Sequence, residues 1–302
     1  MNKNLLFIAI SCFVVFMSCS TQEDFGGFTS KPVSVTNPNE TDTSDTNGKP
    51  GIIDVPDKVN DSIDNSNVVV AHRGAWKKKN LPQNSIASLK EAIRLKCKGS
   101  EFDIWLTADD SLLVCHDITY NNLKIQDSKF SDLISLKLPN GEKLSTLREY
   151  IIAGKQNNTT TLLFCELKNN WLNIARKKIF LEKTLECVKK LNAQQLMVFT
   201  SFDYTLLKQM RALDSLVDIR YINGDVPPEQ LKIDKITGTA YYIDAFKNHI
   251  NWIESAKINN IILGAGDAND RTTLKWCFDN NIDAITTDEP ELALSYLATL
   301  KN

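Results

Sequence analysis

A TIM (β/α)8 barrel with a small insertion after its second unit is the fold predicted for residues 67–302 of this 302-residue chain. Two observations lead to it. Apolar, β-branched runs alternate with segments of helical period in a repeating βα order, giving about eight strands over a length typical of such barrels. No glycine-rich dinucleotide loop follows the first strand, which weighs against the alternative of an open doubly wound sheet.

Residues 1–18 carry one early cation, Lys3, and then the apolar run LLFIAISCFVVFM. That run is short for a bilayer span and has the length of a signal-peptide core. Ser18-Cys19 resembles the processing site of bacterial lipoproteins, in which the cysteine becomes the lipidated N-terminus. The resemblance implies an exported lipoprotein of the outer membrane or cell surface, held to the membrane through Cys19. Phe16 and Met17 are bulkier than the usual pattern, and a plain secretory signal cleaved nearby is the alternative. Metabolic labelling with a lipid probe is expected to mark the wild type and not Cys19→Ala; labelling of both would remove the lipoprotein reading. Residues 19–66 are rich in Ser, Thr, Asn, Asp, Pro and Gly without apolar periodicity, and are expected to form a disordered linker. The acidic stretch at 21–24 resembles the export signal of some surface-displayed lipoproteins.

From 67 onward the elements follow in order. NVVVAH at 67–72 reads as a buried strand, and 84–96 carries apolar residues at helical spacing. SEFDIWL at 100–106 is the second strand; LLVCH at 112–116 follows the turn at 109–111 and either extends that strand or doubles back on it. Residues 118–142 show no strong period and form the insertion. TLLFCEL at 161–167 is a strand, then a helix around 173–190, the strand LMVFTS at 196–201 and a helix around 204–213. The runs at 217–222, 240–244, 260–264 and 283–287 are the later strands, with helices between and after them.

Bulk properties narrow the function classes. A net charge of −2 offers no basic field for nucleic acid. Cys97, Cys115, Cys165, Cys187 and Cys277 form no paired motif and are odd in number, so buried thiols are expected in place of disulfides or a zinc site. Nothing in the sequence indicates an oligomeric state.

Barrel enzymes place their chemistry at the carboxyl ends of strands. Two of the three histidines lie there: His72, followed by Arg73, ends the first strand and His116 ends the run after the second. Glu101 and Asp103 lie on the second strand; Glu166 and Lys168 close the third. Residues two apart on a strand share a face, so each pair points into one space. Three carboxylates so close repel and raise one another's pKa unless a cation joins them. Oxygen donors of this number suit one divalent cation, Mg2+ or Ca2+, and the alternative is an ion-pair network with Arg73 and Lys168. Imidazole titrates near neutral pH, so two histidines beside that cluster can move protons. His249, within KNHINWIES on an expected helix, is read as structural or surface. A hard metal, a phosphate clamp and a proton-transfer pair together describe a phosphodiesterase.

At these residues the chain resembles a known family. His72-Arg73-Gly74, the turn Pro82-Gln83-Asn84-Ser85, Glu101-x-Asp103, His116-Asp117, Glu166-Leu167-Lys168, Thr200-Ser201-Phe202 and the segment TTDEP at 286–290 occur in the order found in glycerophosphodiester phosphodiesterases. The resemblance implies a TIM barrel that hydrolyses glycerophosphodiesters to glycerol 3-phosphate and an alcohol with a divalent metal. By the same resemblance Glu101, Asp103 and Glu166 would bind the metal, His72 and His116 would act as general acid and base, and Arg73 and Lys168 would hold the phosphate. Two departures stand out. Gln83 occupies a position where the family usually has Glu, and LGAGDAND at 263–270 lacks the aromatic of the family's Trp-Thr pair. Glycine and alanine there are expected to open the mouth and alter the choice of alcohol. Three rivals remain at this stage: a phosphatidylinositol-type phospholipase C acting on intact lipid, a barrel glycosidase with paired carboxylates, and a surface-anchored binding barrel without turnover.

Overall fold

The computed structural model describes residues 67–169 and 172–301; the expected signal peptide, Cys19 and the linker lie outside the described residues. In chain order the elements are β1 (Val69–Ala71), α1 (Ile86–Arg94), β2 (Gly99–Leu106), β3 (Leu112–Val114), β4 (Thr119–Tyr120), β5 (Leu123–Lys124), α2 (Phe130–Leu133), α3 (Leu147–Lys155) and β6 (Leu162–Leu167). They continue with α4 (Ile174–Lys190), β7 (Met197–Ser201), α5 (Tyr204–Leu213), β8 (Asp218–Tyr221), α6 (Pro228–Ile233), β9 (Gly238–Thr239), β10 (Tyr241–Tyr242), α7 (Ile243–Asn248) and α8 (Asn251–Asn259). The last are β11 (Gly264–Gly266), α9 (Arg271–Asp279), β12 (Ala284–Thr287) and α10 (Pro290–Leu300).

The barrel strands run parallel in the order β10-β11-β12-β1-β2-β6-β7-β8-β9. β9 and β10 are the two halves of one stave, broken at Ala240, and that stave closes the ring. On one side Arg220 pairs with Gly238 and Tyr221 with Thr239; on the other the Thr239 amide donates to Ile262 O at 2.9 Å and Tyr241 pairs with Ala265. The predicted barrel is therefore the observed one. Side chains on alternate faces of its strands divide between two cores. Phe102, Ile104, Leu163, Cys165 and Phe199 pack outward beneath the helices, whereas Val70, Phe164, Val198 and Ala284 meet inside the ring.

Several local outcomes refine the sequence reading. The run at 112–116 doubles back, with Ile104 opposite Val114 in an antiparallel pair. The insertion sits between β3 and α3, inside the second unit, and buries its own cluster of Trp105, Leu113, Ile125, Leu133 and Leu144. Helix α3 was not expected, although Thr146-x-x-Glu149 is a capping-box signature. Thr146 Oγ1 accepts the Glu149 amide and the Glu149 carboxylate accepts the Thr146 amide.

The seventh barrel strand pairs at Gly264–Gly266 and not through most of 260–264. Ile261 and Leu263 are apolar because they are buried; the pairing runs from a bridge between Gly238 and Ile262 through Gly264, Ala265 and Gly266. A Cβ on Gly264 would lie 2.2 Å from Thr239 O, so only glycine allows β11 this close to β9. Likewise the run at 240–244 leaves the sheet after Tyr242 and enters α7. Of the five cysteines expected to be buried thiols, Cys97, Cys115, Cys165 and Cys277 are buried free thiols, whereas Cys187 is a free thiol only half-buried. No helix among the described residues is long and apolar enough to cross a membrane.

Candidate active site

The first strand ends in a sharp turn. Arg73 and Gly74 both adopt positive φ, 55° and 82°, and a Cβ on Gly74 would lie 2.4 Å from Ser88 Oγ. Glycine thus lets the chain fold back onto the start of α1, leaving His72 and Arg73 at the barrel mouth. There the Arg73 amide donates to Glu101 Oε2 at 2.8 Å. Glu101, Glu166, Lys168, His72, Arg73 and His116 line one cavity of ≈ 130 Å³, with Asp103 buried beside them. All seven residues singled out in the sequence are brought together.

Asp103 is held from two sides. Asn84, itself at φ 57°, donates its Nδ2–H to Asp103 Oδ2 at 2.8 Å and accepts the Asp103 amide through Oδ1 at 3.0 Å. Asparagine tolerates the left-handed turn and supplies both a donor and an acceptor, which accounts for this residue type in the Pro82-Gln83-Asn84-Ser85 turn. From the third strand Lys168 Nζ lies 3.1 Å from Asp103 Oδ1 and 2.6 Å from Glu166 Oε1.

Oxygen atoms of Glu101, Asp103 and Glu166 all come within 4.8 Å of one another. Burial, followed by the neighbouring Asp103 charge, raises Glu101 from 4.5 to about 8 and Glu166 from 4.5 to about 7. Burial opposes ionisation of Asp103 as well, yet Lys168 and His116 pull its pKa below the usual carboxylate value. Among the described residues Arg73 makes no ion pair with these carboxylates; its Nη1 donates to Gln83 Oε1 at 2.7 Å. The ion-pair alternative therefore sets one lysine against three buried carboxylates, an excess of negative charge that fits a hard dication.

The same electrostatics carry a prediction. Glu101 and Glu166 hold protons more tightly folded than unfolded, so the stability they contribute is complete below about 4.5 and is lost as pH rises through about 7 and about 8. His72, raised from 6.5 to about 9, acts with the same sign. Asp103, lowered from 3.8, has already made its opposite contribution at neutral pH. The melting temperature of metal-free protein is expected to fall between pH 7 and pH 9, and added Mg2+ to reduce that fall by replacing protons. A metal-free melting temperature that rises across this window would contradict the charge excess.

The two histidines have different surroundings. His72 Nδ1 lies 2.9 Å from Asp288 Oδ1, and Nε2 lies 4.0 Å from Glu101 Oε2. A carboxylate only accepts, so Nδ1 carries a proton and Nε2 faces the cavity. Asp288 is in turn fixed by Trp76 Nε1 at 3.4 Å, by Asn269 Nδ2 at 3.2 Å and through its own amide to Asn269 Oδ1 at 2.8 Å. Burial disfavours the imidazolium of His72, but the hydrogen bond to Asp288 and the charges of Glu101 and Asp267 outweigh it and raise its pKa to about 9. In contrast burial dominates at His116 and lowers its pKa from 6.5, despite Asp103 nearby and a 2.7 Å contact from Nδ1 to Asp117 Oδ1. Trp105 Nε1 donates to His116 O at 3.2 Å and fixes its backbone. The third histidine, His249, lies outside this cavity, exposed at the surface and stacked on Trp252 at 4.2 Å.

Asp288, Asn269, Trp76 and Asn84 were not identified as site residues from the sequence. Asp288 stands in TTDEP directly after a strand, the position that barrel logic marks for chemistry, so its signal was present. The partnership of Asn269 with Asp288 joins two βα units and had no local signal. Phe202, Tyr242 and Asp267 complete the far wall of the cavity.

Comparison with known proteins agrees with this geometry. The model of the glycerophosphoryl diester phosphodiesterase family matches residues 72–292. A glycerophosphodiester phosphodiesterase of Caldanaerobacter subterraneus subsp. tengcongensis is 25% identical over 245 residues, covering 76% of this chain and 96% of the relative. A crystal structure of a glycerophosphodiester phosphodiesterase from Parabacteroides distasonis is 32% identical with a TM-score of 0.76, covering 80% of this chain and 100% of that one. An Oleispira antarctica phosphodiesterase solved with its product sn-glycerol-3-phosphate shares the fold, with a TM-score of 0.67, 23% identity and coverage of 76% and 95%.

Proposed function

Because the chain belongs to the glycerophosphoryl diester phosphodiesterase family, we propose that it hydrolyses glycerophosphodiesters to glycerol 3-phosphate and an alcohol. The observation that carries this reading is the meeting, at one barrel mouth, of a three-carboxylate seat, two cations and two histidines of opposite electrostatic bias.

Glu101, Asp103 and Glu166 would hold one Mg2+ or Ca2+, which supplies Lewis-acid neutralisation of phosphate charge and acidifies a nearby hydroxyl. The protein's own groups do the rest. His116, neutral near pH 7, removes the proton from the glycerol hydroxyl next to the phosphate as that oxygen attacks phosphorus. The bond from phosphorus to the alcohol oxygen breaks, and His72 delivers the Nε2 proton to that oxygen. A cyclic glycerophosphate results; water then opens it with the histidines' roles reversed. Arg73 and Lys168 bind the equatorial oxygens, where fixed cations act most strongly on the developing charge. The contact of Gln83 with Arg73 bears on the first departure from the family. Its carboxamide orients the guanidinium without neutralising it, leaving the full charge of Arg73 for phosphate.

Soluble diesters and intact lipid distinguish this reading from a phospholipase C. With Mg2+ or Ca2+ present, deacylated headgroup diesters are expected to release glycerol 3-phosphate, while a phosphatidylinositol dispersion is not cleaved. Cleavage of the lipid alone would overturn the substrate assignment. Export and attachment to the outer membrane or cell surface through Cys19 are part of the proposal and rest on residues 1–24 alone.

A further inference from the structure

We propose that the floor of the barrel, beneath the catalytic mouth, is a binding site for a small monovalent anion of chloride's size, held by Arg220. Strand β8 runs from Asp218 to Tyr221, and residues two apart on a strand share a face. Ile219 and Tyr221 pack outward beneath the helices, so Asp218 and Arg220 belong to the inner face. Asp218 opens the strand, at the end away from the mouth, and the Arg220 side chain turns back towards it. Arg220 Nε donates to Asp218 Oδ1 at 3.3 Å and Nη2 to Asp218 Oδ2 at 3.0 Å. The guanidinium carbon stands 4.9 Å from the centre of the Phe164 ring, part of the apolar cluster inside the barrel.

One nitrogen of this buried cation is unanswered. Arg220 is 3% exposed and lines the same cavity as Glu166, yet its Nη1 is buried with no hydrogen-bond partner among the described residues. The planar guanidinium fork presents only two of its nitrogens to one carboxylate, and Asp218 also accepts Thr237 Oγ1 at 2.6 Å. An arginine nitrogen only donates, so the missing partner is an acceptor. In a water-poor interior an ionised acceptor holds a guanidinium about twice as strongly as a neutral one. Lys98 registers the same charge: burial first and Arg220 second lower its pKa, ahead of the opposing effects of Asp283 and Asp218.

A second donor and the necessary space are also built in. Thr200 pairs with Arg220 on one side and Glu166 on the other, is 4% exposed and lines the cavity, so its hydroxyl stands between the floor and the carboxylate seat. Gly264 and Ala284 line the cavity with little or no side chain, and a Cβ on Gly238 would come within 3.4 Å of Arg220 Cδ. A guest of water's size needs only about 10–15 Å³. The cavity of ≈ 130 Å³ therefore has room for a small ion at its floor in addition to a phosphate at its mouth. An anion there and a divalent cation on Glu101, Asp103 and Glu166 attract each other, so each tightens the other by the same factor. Only this coupling rests on the metal of the hydrolase reading; the anion site does not.

The test follows the melting temperature of full-length protein in sodium chloride and in sodium methanesulfonate, a bulkier anion, at equal ionic strength, first with EDTA and then with magnesium methanesulfonate. Wild type is expected to gain stability saturably with chloride and not with methanesulfonate. The chloride concentration at half-effect should be about 5-fold lower or more with Mg2+ present. Asp218→Asn/Arg220→Met removes the ion pair together, leaving no charge buried alone, and should respond alike to both salts. If that variant does not fold, Thr200→Val, which keeps the pair, decides: its chloride affinity should fall by about 10-fold or more, and an unchanged affinity overturns the assignment. Equal melting in the two salts under both conditions, or a chloride effect that survives in the double variant, overturns it too. A half-effect concentration that Mg2+ leaves unmoved overturns the coupling. No readout here uses turnover, so the hydrolase reading stands or falls separately.

Discussion

Replacing His116 with Ala is expected to lower turnover of glycerophosphodiesters by about 100-fold or more, and His72→Ala by a similar factor. Neither change should damage the fold, because both rings lie on the cavity wall and fill no part of the apolar core. The two losses should differ in kind. His72 enters the reaction protonated, held by Asp288 with a pKa near 9, so it serves the departing oxygen. A p-nitrophenyl leaving group needs no proton, and His72→Ala should recover much of its loss on such a diester. His116→Ala should not, since the attacking hydroxyl still has to be deprotonated. Near-normal turnover in either variant would remove that histidine from catalysis; recovery by His116→Ala instead of His72→Ala would reverse the acid and base.

Glu101→Gln should separate stability from function at a single atom. The glutamine oxygen can still accept the Arg73 amide that Glu101 Oε2 accepts now, so the turn after β1 is kept. One of three mutually repelling buried charges is lost, however, and burial with Asp103 already raises the Glu101 pKa to about 8. Metal-free Glu101→Gln is therefore expected to melt above metal-free wild type at pH 8.5. Its metal affinity and activity should drop by about 100-fold or more, beyond the loss typical of an outer-shell change. Such opposed effects are the signature of a site kept strained for its ligand. A variant that is less stable without metal, or that retains its metal affinity, would show that the three carboxylates serve the fold and not an ion.

The legible part of this molecule is the part governed by local pattern. The seven site residues stand on strands or just after them, in or beside the apolar runs that announce those strands, and spacing by two put Glu101 with Asp103 and Glu166 with Lys168 on common faces. The β11 ladder, Gly264–Gly266, lies beyond the apolar run for a physical reason. Apolar residues report burial, as at Ile261 and Leu263, whereas pairing there depends on glycines that let two backbones approach. Helix α3 has its local signal in the capping box of Thr146 and Glu149, not in a long apolar period. The support behind His72 was not legible at all. Asp288 lies 216 residues away along the chain, and Asn269 reaches it from another unit. Such partnerships exist only once the ring has closed. The role of Gln83 likewise required seeing where the Arg73 guanidinium points.

The central claim is that this mouth cleaves glycerophosphodiesters with a divalent cation seated on Glu101, Asp103 and Glu166. The most direct measurement is glycerol 3-phosphate release from a panel of soluble glycerophosphodiesters, with Mg2+ or Ca2+, after EDTA, and after the cation is restored. Release that stops with EDTA and returns with the cation is the expected result. No release from any diester in the presence of the cation, or release that EDTA leaves unchanged, would contradict it.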